Sequence, residues 1–373
     1  MQYPGVRTRR ERWPSLHPLS SRKVVRKTAG FTTVGAMNPT MVLLAAGMST
    51  RYGRLKQLEA VGPKGEALLD YAAFDAHRAG FSRVVLIIRE ELEEAFRAHI
   101  DPSWPDDLEV VFHHQRLEDL PGLPPGKEGD PSLASALARR RKPWGTAHAI
   151  LTARDLLQDP FVLLNADDLY GPAAFSQGLS LLGRDLRRDP GDPPGFGLVA
   201  YTLEDTLTRH GGVTRGVCAV DRRGWLESVE EVFGVRRVGS AIAGTSVSGE
   251  ELLLTGQEPT STNFWIFTPE IFPFLERGFQ EFLGEVTAVS GGVDSGEGGQ
   301  EPAPEPEFLI PTQVNRLVAG GEARVWILRT HDPFLGITHP QDWEWAAGGI
   351  RELVQEGLYP DPLWAPAEGA GAE

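Results

Sequence analysis

The chain has 373 residues, a formal net charge of −14 and a hydrophobic content of 41%. It is long enough to bury one large core or two smaller ones, and its acidic balance argues against nucleic acid as the main partner. The sequence contains no apolar run of membrane-spanning length and no recognisable signal peptide. Its single cysteine, Cys218, excludes an internal disulfide. We therefore expect a cytoplasmic protein with no membrane partner.

The first 36 residues differ in charge from the rest of the chain. They contain eight basic residues and one acidic residue, and they show no amphipathic period. Three interpretations are open: a targeting or nucleic-acid arm, a solvated disordered tail, or an upstream mis-start with Met37 or Met41 as the true beginning. We favour the last two, because the first apolar strand begins directly after Met41.

Strand and helix patterns alternate from residue 42 to about residue 201. The predicted strands cover residues 42–46, 84–88, 108–112, 161–164 and 196–201, and the predicted helices cover 68–80, 90–99, 145–157 and 173–182. The strands are apolar, as in a sheet that is covered on both faces. This alternation predicts an α/β fold with a doubly wound, mostly parallel, Rossmann-like sheet.

The predicted secondary-structure pattern changes near residue 211. Residues 213–220, 224–231 and 242–254 are predicted hairpin strands, which indicate an inserted β-rich substrate lobe over about 211–262. The α/β pattern then returns and continues to residue 355. Residues 116–142 and 284–307 are rich in Pro, Gly and charge and are predicted to be flexible insertions, and 359–373 a flexible tail. One domain is therefore expected over residues 37–358.

The segment 42–57 is the most informative in the chain. An apolar strand runs into a turn of small residues that carries Arg51 and Lys56. Such a turn brings backbone N–H groups close to a ligand, and its two cations favour a polyanion such as a nucleoside triphosphate. The segment lacks both common phosphate fingerprints, because Ser49 stands in place of a Gly and Gly53 is followed by Arg54.

A carboxylate follows another central strand. Asp167 comes directly after the strand at 161–164, and ligands of open α/β sheets bind at the carboxyl ends of the strands. Beside Arg51 and Lys56, such a carboxylate suits a Mg²⁺ ion that is bound to a triphosphate. The alternative is that Asp167 or Asp168 only caps the next helix. Further along, Gly145 and Thr146 offer free N–H groups at a helix start.

These motifs, in this order, resemble the nucleotidyltransferases that activate sugar phosphates. The signature of that family is roughly L-x-A-G-x-G-x-R with a Lys a few residues later, and the resemblance extends over about residues 41–346. It implies a nucleotide-diphospho-sugar transferase fold without an appended acyltransferase domain. It also implies that Arg51 holds the leaving pyrophosphate, Lys56 contacts the phosphates and Asp167 binds the metal.

The resemblance further implies a set of nucleotide-binding residues, in which the loop contacts the phosphates and later residues read the base. These are Ala45, Ala46, Gly47, Met48, Ser49, Thr50, Gln115, Gly145 and Thr146. The side chain of Gln115 can pair with uracil, thymine or cytosine. His148 is expected to be a packing residue, whereas Trp144 either packs or lies along the base.

The acceptor site is expected in the lobe. By resemblance, Gly212 meets the sugar through its backbone, Glu231 accepts sugar hydroxyls, and Asn263 contacts the sugar or ribose unless it is a buried turn residue. The family's Lys after the Glu is Val232 here. We therefore expect that a nearby cation, Arg236 or Arg237, holds the acceptor phosphate.

By resemblance, Thr338 lies nearest to the position of the family's second metal ligand, and Asp332 is the other candidate. The alternative is that this region is a surface turn without a metal ligand.

The expected reaction couples UTP, dTTP or CTP to a sugar 1-phosphate in the presence of Mg²⁺, giving an NDP-sugar and pyrophosphate. Two alternatives remain: transfer to a non-sugar phosphate such as phosphocholine, and a non-catalytic nucleotide-sugar-binding regulator. The expected partners are an NTP and a small phosphorylated acceptor, with the oligomeric state left open.

Overall fold

A computed structural model describes residues 39–47, 55–123, 126–127, 129–184, 186, 189, 191–290 and 305–364, without the side chains of residues 289 and 290. The predicted leader, residues 48–54 of the phosphate-binding turn and residues 365–373 of the tail lie outside this part of the chain. Within the described residues, no helix has both the length and the apolar character needed to cross a bilayer.

Seven strands form the central sheet. They are β1 (Thr40–Leu44), β2 (Arg83–Ile88), β3 (Glu109–His114), β4 (Phe161–Asn165), β6 (Gly195–Thr202), β11 (Pro259–Phe267) and β12 (Arg324–Arg329). Their order across the sheet is β3-β2-β1-β4-β11-β6-β12. All run in one direction except β11, which is antiparallel to both of its neighbours β4 and β6. The predicted doubly wound, mostly parallel sheet is confirmed.

Helices cover both faces of this sheet. One face carries α1 (Leu68–Ala79), α2 (Glu93–Ile100) and α5 (Pro172–Leu182), and the other carries α3 (Pro131–Arg139), α4 (Thr146–Thr152), α6 (Ile271–Ser290) and α7 (Ile310–Ala319). Alternate residues of β1 enter the two hydrophobic cores, Val42 on one side and Met41 and Leu43 on the other. The last helix, α8 (Asp342–Gln355), packs on α1 in a third cluster.

The lobe extends the sheet at β11. Its strands are β7 (Val213–Val220), β8 (Leu226–Val238), β9 (Ala241–Thr245) and β10 (Glu251–Leu254), joined in antiparallel order with β7 paired to β11. A separate two-stranded pairing joins β5 (Asp168–Leu169) to β13 (Leu335–Gly336). Gly336 is required there, because a Cβ atom would lie 2.5 Å from Oδ1 of Asp168.

Three predicted boundaries differ from the structure. The supposed loop at 116–142 contains α3, whose start is capped by Asp130, the acceptor from the N–H of Ser132 at 2.9 Å. The helix predicted over 145–157 ends at Thr152, and a short 3-10 turn follows at Arg154–Leu156. Helix α6 continues to Ser290, so the first residues of the predicted insertion at 284–307 are helical; residues 291–304 lie outside the described chain.

Candidate active site

The carboxyl ends of β1 and β4 bring a lysine and an aspartate together. Leu44 and Asn165, the last residues of these neighbouring strands, are paired in register. Lys56 opens a short 3-10 turn after β1, and its Nζ lies 2.6 Å from Oδ2 of Asp167. The two side chains are only 20% and 26% exposed. The structure therefore joins two of the three predicted catalytic residues; the third, Arg51, lies outside the described residues together with Met48, Ser49 and Thr50.

A cavity of about 450 Å³ opens beside this ion pair; we call it the large cavity. Its volume lies in the range of small-molecule sites. Seven predicted site residues line it: Ala46, Gly47, Lys56, Gln115, Gly145, Thr146 and Asp167. Ala45 does not, because it is fully buried and its N–H donates to the carbonyl of Ile87.

The large cavity is also lined by residues that were not predicted as site residues, among them Gln57, Lys142 and Glu307. Lys142 directly precedes the Pro-Trp-Gly-Thr segment, so its position in that motif was an available signal. Glu307 carried no local signal, since it is the last residue of the predicted insertion and reaches the cavity only through the tertiary fold. Its Oε1 lies 4.0 Å from Nζ of Lys142.

The start of α4 is held against the segment before α7. Gly145 has φ +116°, and a Cβ atom there would lie 2.5 Å from the carbonyl oxygen of Phe308. The same carbonyl accepts from the N–H of Ala147, and the Thr146 hydroxyl accepts from the N–H of Ile310. The N–H of Ala147 therefore already has a partner, whereas the expectation that the N–H groups of Gly145 and Thr146 serve a ligand stays a prediction.

Two aromatic residues of this region are fully buried. Trp144 is fully buried, donates from Nε1 to the carbonyl of Leu117 and lies 4.0 Å beneath the guanidinium of Arg140. It therefore does not line the large cavity, and of the two predicted possibilities the packing role is the one observed. His148 is also fully buried, with its ring 4.9 Å from that of Phe279.

A second cavity of about 270 Å³, the small cavity, meets the first. Its lining includes Thr146 and Asn165, which also line the large cavity. The two adjacent carboxylates are divided between the cavities, Asp167 in the large one and Asp168 in the small one. The two cavities thus share Thr146 of α4 and Asn165 at the end of β4.

The small cavity contains two of the predicted acceptor residues. Glu231 on β8 is half-buried and lines it, whereas the neighbouring Glu230 is exposed. Asn263 on β11 also lines it and has φ +72°, a left-handed conformation that is rare outside glycine. The bulge between Ser261 and Phe264 in the pairing with β6 accommodates this conformation.

A directional chain of hydrogen bonds orients the amide of Asn263. The indole Nε1 of Trp265, which can only donate, donates to Oδ1 of Asn263 at 2.8 Å. Nδ2 of Asn263 then donates to Oδ1 of Asn165 at 2.8 Å, and Nδ2 of Asn165 donates to Oδ2 of Asp168 at 2.9 Å. Asn263 is therefore connected to the carboxylate at the end of β4.

The cation of the small cavity is Arg215, which sequence reasoning missed. Arg215 on β7 lines the cavity and is held by its Nε and Nη2 donors, which bind the hydroxyl and carbonyl of Thr206 at 3.0 and 2.6 Å. Its Nη1 binds the carbonyl of Thr214 at 2.9 Å, which leaves two of the five guanidinium N–H groups for a ligand. The sequence offered one indication of this role, because Arg215 occupies an inward-facing position on a strand that was predicted for the substrate lobe.

The prediction that Arg236 or Arg237 holds the acceptor phosphate is corrected. Both side chains are exposed and neither lines the small cavity. Nη1 of Arg236 donates to the carbonyl of Gly234, and Arg237 pairs with Glu204 at 3.4 Å. Both residues lie near the end of the long strand β8, where the side chains project toward solvent.

Three other predicted residues, Gly212, Asp332 and Thr338, line neither cavity. Gly212 crosses the backbone of Gly234 so closely that a Cβ atom would lie 2.7 Å away, and it does not line the small cavity. Oδ2 of Asp332 accepts from the N–H groups of Ala173 and Ala174, so this side chain caps α5 and we do not retain it as a metal ligand. Thr338 lines neither cavity, and its assignment stays a prediction.

The adjacent carboxylates of Asp167 and Asp168 suit a divalent cation whose other ligands are phosphate oxygens and water. Burial, and then the negative charge of Asp167, raise the pKa of Asp168 to about 7. A cation between the two would offset this repulsion. The described residues contain no cluster of three or more His, Cys, Asp or Glu side chains that could hold a metal alone. Mg²⁺ needs only one or two carboxylates when phosphate oxygens and water complete its shell.

No protein-family model and no curated protein matches the sequence. Among solved structures, the chain is similar to the inositol-1-phosphate CTP transferase from T. maritima, with a TM-score of 0.49 and 14% identity over 85% of this chain and 98% of that one. It is also similar to HddC from Yersinia pseudotuberculosis, with a TM-score of 0.46 and 13% identity over 84% of this chain and 100% of that one. For a protein assigned as a glucose-1-phosphate thymidylyltransferase from Bacillus anthracis, the TM-score is 0.49 and the identity 11%, over 84% of this chain and 96% of that one.

Proposed function

We propose that this chain transfers a nucleotidyl group from a nucleoside triphosphate to a sugar 1-phosphate, with release of pyrophosphate. One observation carries the proposal: two cavities meet at the end of β4, with the Lys56–Asp167 pair on one side and Asp168 on the other. A transfer reaction between two substrates needs this kind of junction, because proximity and alignment supply much of the rate.

The large cavity is the site that we assign to the triphosphate. Lys56 and Lys142 supply positive charge there, and Gln115 supplies an amide for the base. The loop that carries Arg51 follows the strand whose end borders this cavity, and the motif assigns Arg51 to the departing pyrophosphate. This assignment of Arg51 rests on the sequence resemblance alone.

The small cavity is the site that we assign to the acceptor. Arg215 offers two N–H groups to a phosphate, and Glu231 and Asn263 offer polar groups to hydroxyls. No aromatic side chain lines this cavity among the described residues. A quaternary ammonium group is usually bound by aromatic rings, so the lining favours a polyhydroxylated acceptor over phosphocholine.

The proposed reaction needs no protein nucleophile. A phosphate oxygen of the acceptor attacks the α-phosphorus of the triphosphate, the bond from that phosphorus to the bridging oxygen of the β-phosphate breaks, and pyrophosphate leaves. Lys56 neutralises charge on the phosphates, and Arg215 orients the attacking phosphate. When bound by Asp167, Mg²⁺ would supply charge neutralisation and Lewis acidity at the phosphate oxygens. In the absence of substrate, the Lys56–Asp167 ion pair keeps both groups at the junction.

The test is a pyrophosphate-release assay with Mg²⁺. Each of UTP, dTTP, CTP, GTP and ATP is combined with glucose 1-phosphate, mannose 1-phosphate, N-acetylglucosamine 1-phosphate or phosphocholine, and the product is identified by ³¹P NMR. We expect inorganic pyrophosphate and an NDP-sugar, whose new bond is a P–O–P phosphoanhydride, with at least one sugar phosphate. Turnover with phosphocholine alone would overturn the choice of acceptor. Nucleotide binding without turnover on the whole panel would favour the non-catalytic regulator.

A further inference from the structure

A buried histidine is hydrogen-bonded behind the base-reading glutamine. His148 lies in α4 and has no exposed surface. Its Nε2 lies 2.7 Å from the carbonyl oxygen of Asp119, and its Nδ1 lies 3.0 Å from Nε2 of Gln115. The chain Asp119–His148–Gln115 therefore connects a loop carbonyl, through the imidazole, to a side chain that lines the large cavity.

The chemistry of these atoms determines the tautomer of the imidazole. A carbonyl oxygen can only accept, so Nε2 of His148 must carry the proton that it donates to Asp119. A neutral imidazole then has an unprotonated Nδ1, which can only accept. Burial lowers the pKa of His148 to about 4, which keeps the ring neutral at neutral pH. Nδ1 therefore requires a donor from Gln115.

The same reasoning orients the amide of Gln115. Its NH₂ group lies 3.0 Å from Nδ1 of His148 and 3.1 Å from the carbonyl oxygen of Gly145, and both of these partners can only accept. Two independent contacts thus demand the NH₂ group on this side, and both of its N–H bonds are used. The Oε1 atom has no hydrogen-bond partner within the described part of the chain, and it is the group left for a ligand in the large cavity.

We propose that His148 is a positioning residue that holds the amide of Gln115 with its oxygen available to the large cavity, so that the site selects a nucleobase whose N–H donor lies opposite that oxygen. The proposal rests on the proposed function, since it assumes that the large cavity takes a nucleotide. Without His148, the amide would lose one of the two contacts that orient it. A freely rotating amide offers a donor or an acceptor equally and discriminates poorly.

Packing alone does not explain the imidazole. The ring lies among apolar and aromatic neighbours, with Phe279 4.9 Å away and Trp144 6.5 Å away between ring centroids. An apolar side chain would fill this volume without the cost of burying polar nitrogens. Both nitrogens have hydrogen-bond partners, and the second partner is a residue of the large cavity. The arrangement is therefore better suited to orienting Gln115 than to filling space.

The first experiment measures nucleotide binding without an acceptor, so that no turnover is required. Isothermal titration with Mg²⁺ compares UTP, dTTP, CTP, GTP and ATP for the wild type, His148→Leu and His148→Gln. We expect His148→Leu to weaken binding of the preferred nucleotide by about 3- to 10-fold, the value of one oriented hydrogen bond, and to narrow the preference among bases. His148→Gln, which offers both a carbonyl acceptor and an N–H donor, should retain most of the preference.

A matched control is His113→Leu. His113 on β3 is half-buried and contacts the hydroxyl of Thr152 on the same helix α4 at 3.0 Å, but it forms no hydrogen bond with Gln115. This variant should leave the base preference unchanged. An equal loss of affinity for all five nucleotides in both variants would indicate general destabilisation of α4 and would overturn the proposal.

The second experiment observes the tautomer directly in the wild-type protein. In ¹⁵N-labelled wild-type protein, the imidazole of His148 should show a protonated Nε2 and an unprotonated Nδ1 at pH 7, and its signals are assigned by their loss in folded His148→Gln. The opposite tautomer would overturn the proposal. The positioning role of His148 and the proposed function can be refuted separately. If His148→Leu retains the base preference, only the positioning role is refuted. If the wild type binds no nucleotide, the proposed function is refuted and this inference with it.

Discussion

Nζ of Lys56 lies 2.6 Å from Oδ2 of Asp167, across 111 positions of sequence. The contact exists because β1 and β4 are neighbours in the sheet and both end at the same edge. Both side chains keep some exposure, so the pair is accessible to a ligand from the large cavity. The importance of this pair for the proposed reaction lies in the two opposite charges that it holds beside the large cavity.

The first prediction concerns this pair. Lys56→Ala should lower kcat by about 100-fold or more, as for other groups that stabilise charge on a transition state, with little change in melting temperature. Asp167→Asn keeps an acceptor for Lys56 but removes the charge, so Mg²⁺ affinity in the nucleotide complex should fall at least tenfold. Steady-state pyrophosphate release and isothermal titration measure these effects. Lys64→Ala, on an exposed turn, is the control; unchanged Mg²⁺ affinity in Asp167→Asn would reject the metal role.

The second prediction distinguishes Arg215 from the exposed arginines of β8. Arg215→Gln should raise the KM of the sugar phosphate by about 10- to 150-fold, because one charge-assisted phosphate contact contributes about 1.5–3 kcal/mol. The KM of the nucleotide should not change. Arg237→Gln should have no effect, since that side chain faces Glu204 outside the cavity. Because Arg215 also binds Thr206, circular dichroism must accompany the kinetics, and Arg215→Lys keeps the charge as a second variant. The reverse result, with Arg237 critical, would move the acceptor site.

The third prediction uses two adjacent glutamates of β8. Glu231→Gln should raise the KM of a sugar 1-phosphate about 3- to 10-fold, since it weakens a charged acceptor for hydroxyl groups. Glu230→Gln should be neutral, because its side chain is exposed and outside the cavity lining. If phosphocholine is a substrate at all, its KM should be the same in both variants. Identical kinetics for Glu231→Gln and the wild type with a sugar phosphate would place the acceptor on another strand.

The fourth prediction concerns backbone strain at Asn263. Its φ of +72° costs an alanine about 1–2 kcal/mol but costs glycine nothing. Asn263→Ala should therefore unfold at lower urea concentration than Asn263→Gly, while both lose the bonds to Asn165 and Trp265 and weaken acceptor binding alike. Equal stability of the two variants would show that the left-handed conformation is not maintained in solution.

The fifth prediction is a pH dependence of stability away from the site. Asp75 is buried in α1, where Oδ2 accepts from the hydroxyl of Tyr359 at 2.6 Å and Oδ1 has no partner among the described residues. Burial raises the pKa of its carboxyl to about 7. Between about pH 4 and pH 7 the folded state keeps a proton that the unfolded state releases. The free energy of unfolding should therefore fall as pH rises through this window, by up to about 1.4 kcal/mol per pH unit.

The measurement is urea unfolding from pH 4.5 to pH 8. Asp75→Asn, which cannot ionise, should show a smaller decline across this range and should be at least as stable as the wild type at pH 8. Asp155→Asn is the control, because the Asp155 side chain is 93% exposed and carries no comparable burial. An identical slope for Asp75→Asn and the wild type would show that Asp75 is ionised in the folded protein at low pH.

The local pattern of the sequence determined the parallel α/β architecture and the edge of the sheet where the site lies. Apolar runs of strand length, separated by helical periods, fix which residues can be buried, and each strand's carboxyl end follows directly. The positions of Lys56 and Asp167 after β1 and β4 could therefore be predicted. Glu231 could also be distinguished from Glu230, but only by resemblance to a family motif.

The tertiary structure alone decided which distant side chains share a cavity. Arg215 comes to the small cavity because β7 pairs with the reversed strand β11, which in turn lies beside β4. The link between His148 and Gln115 depends on α4 packing against the end of β3, and Glu307 arrives from beyond residues 291–304. Periodicity describes one element at a time, whereas these contacts depend on the order and direction of strands far apart in the chain, which no local pattern encodes.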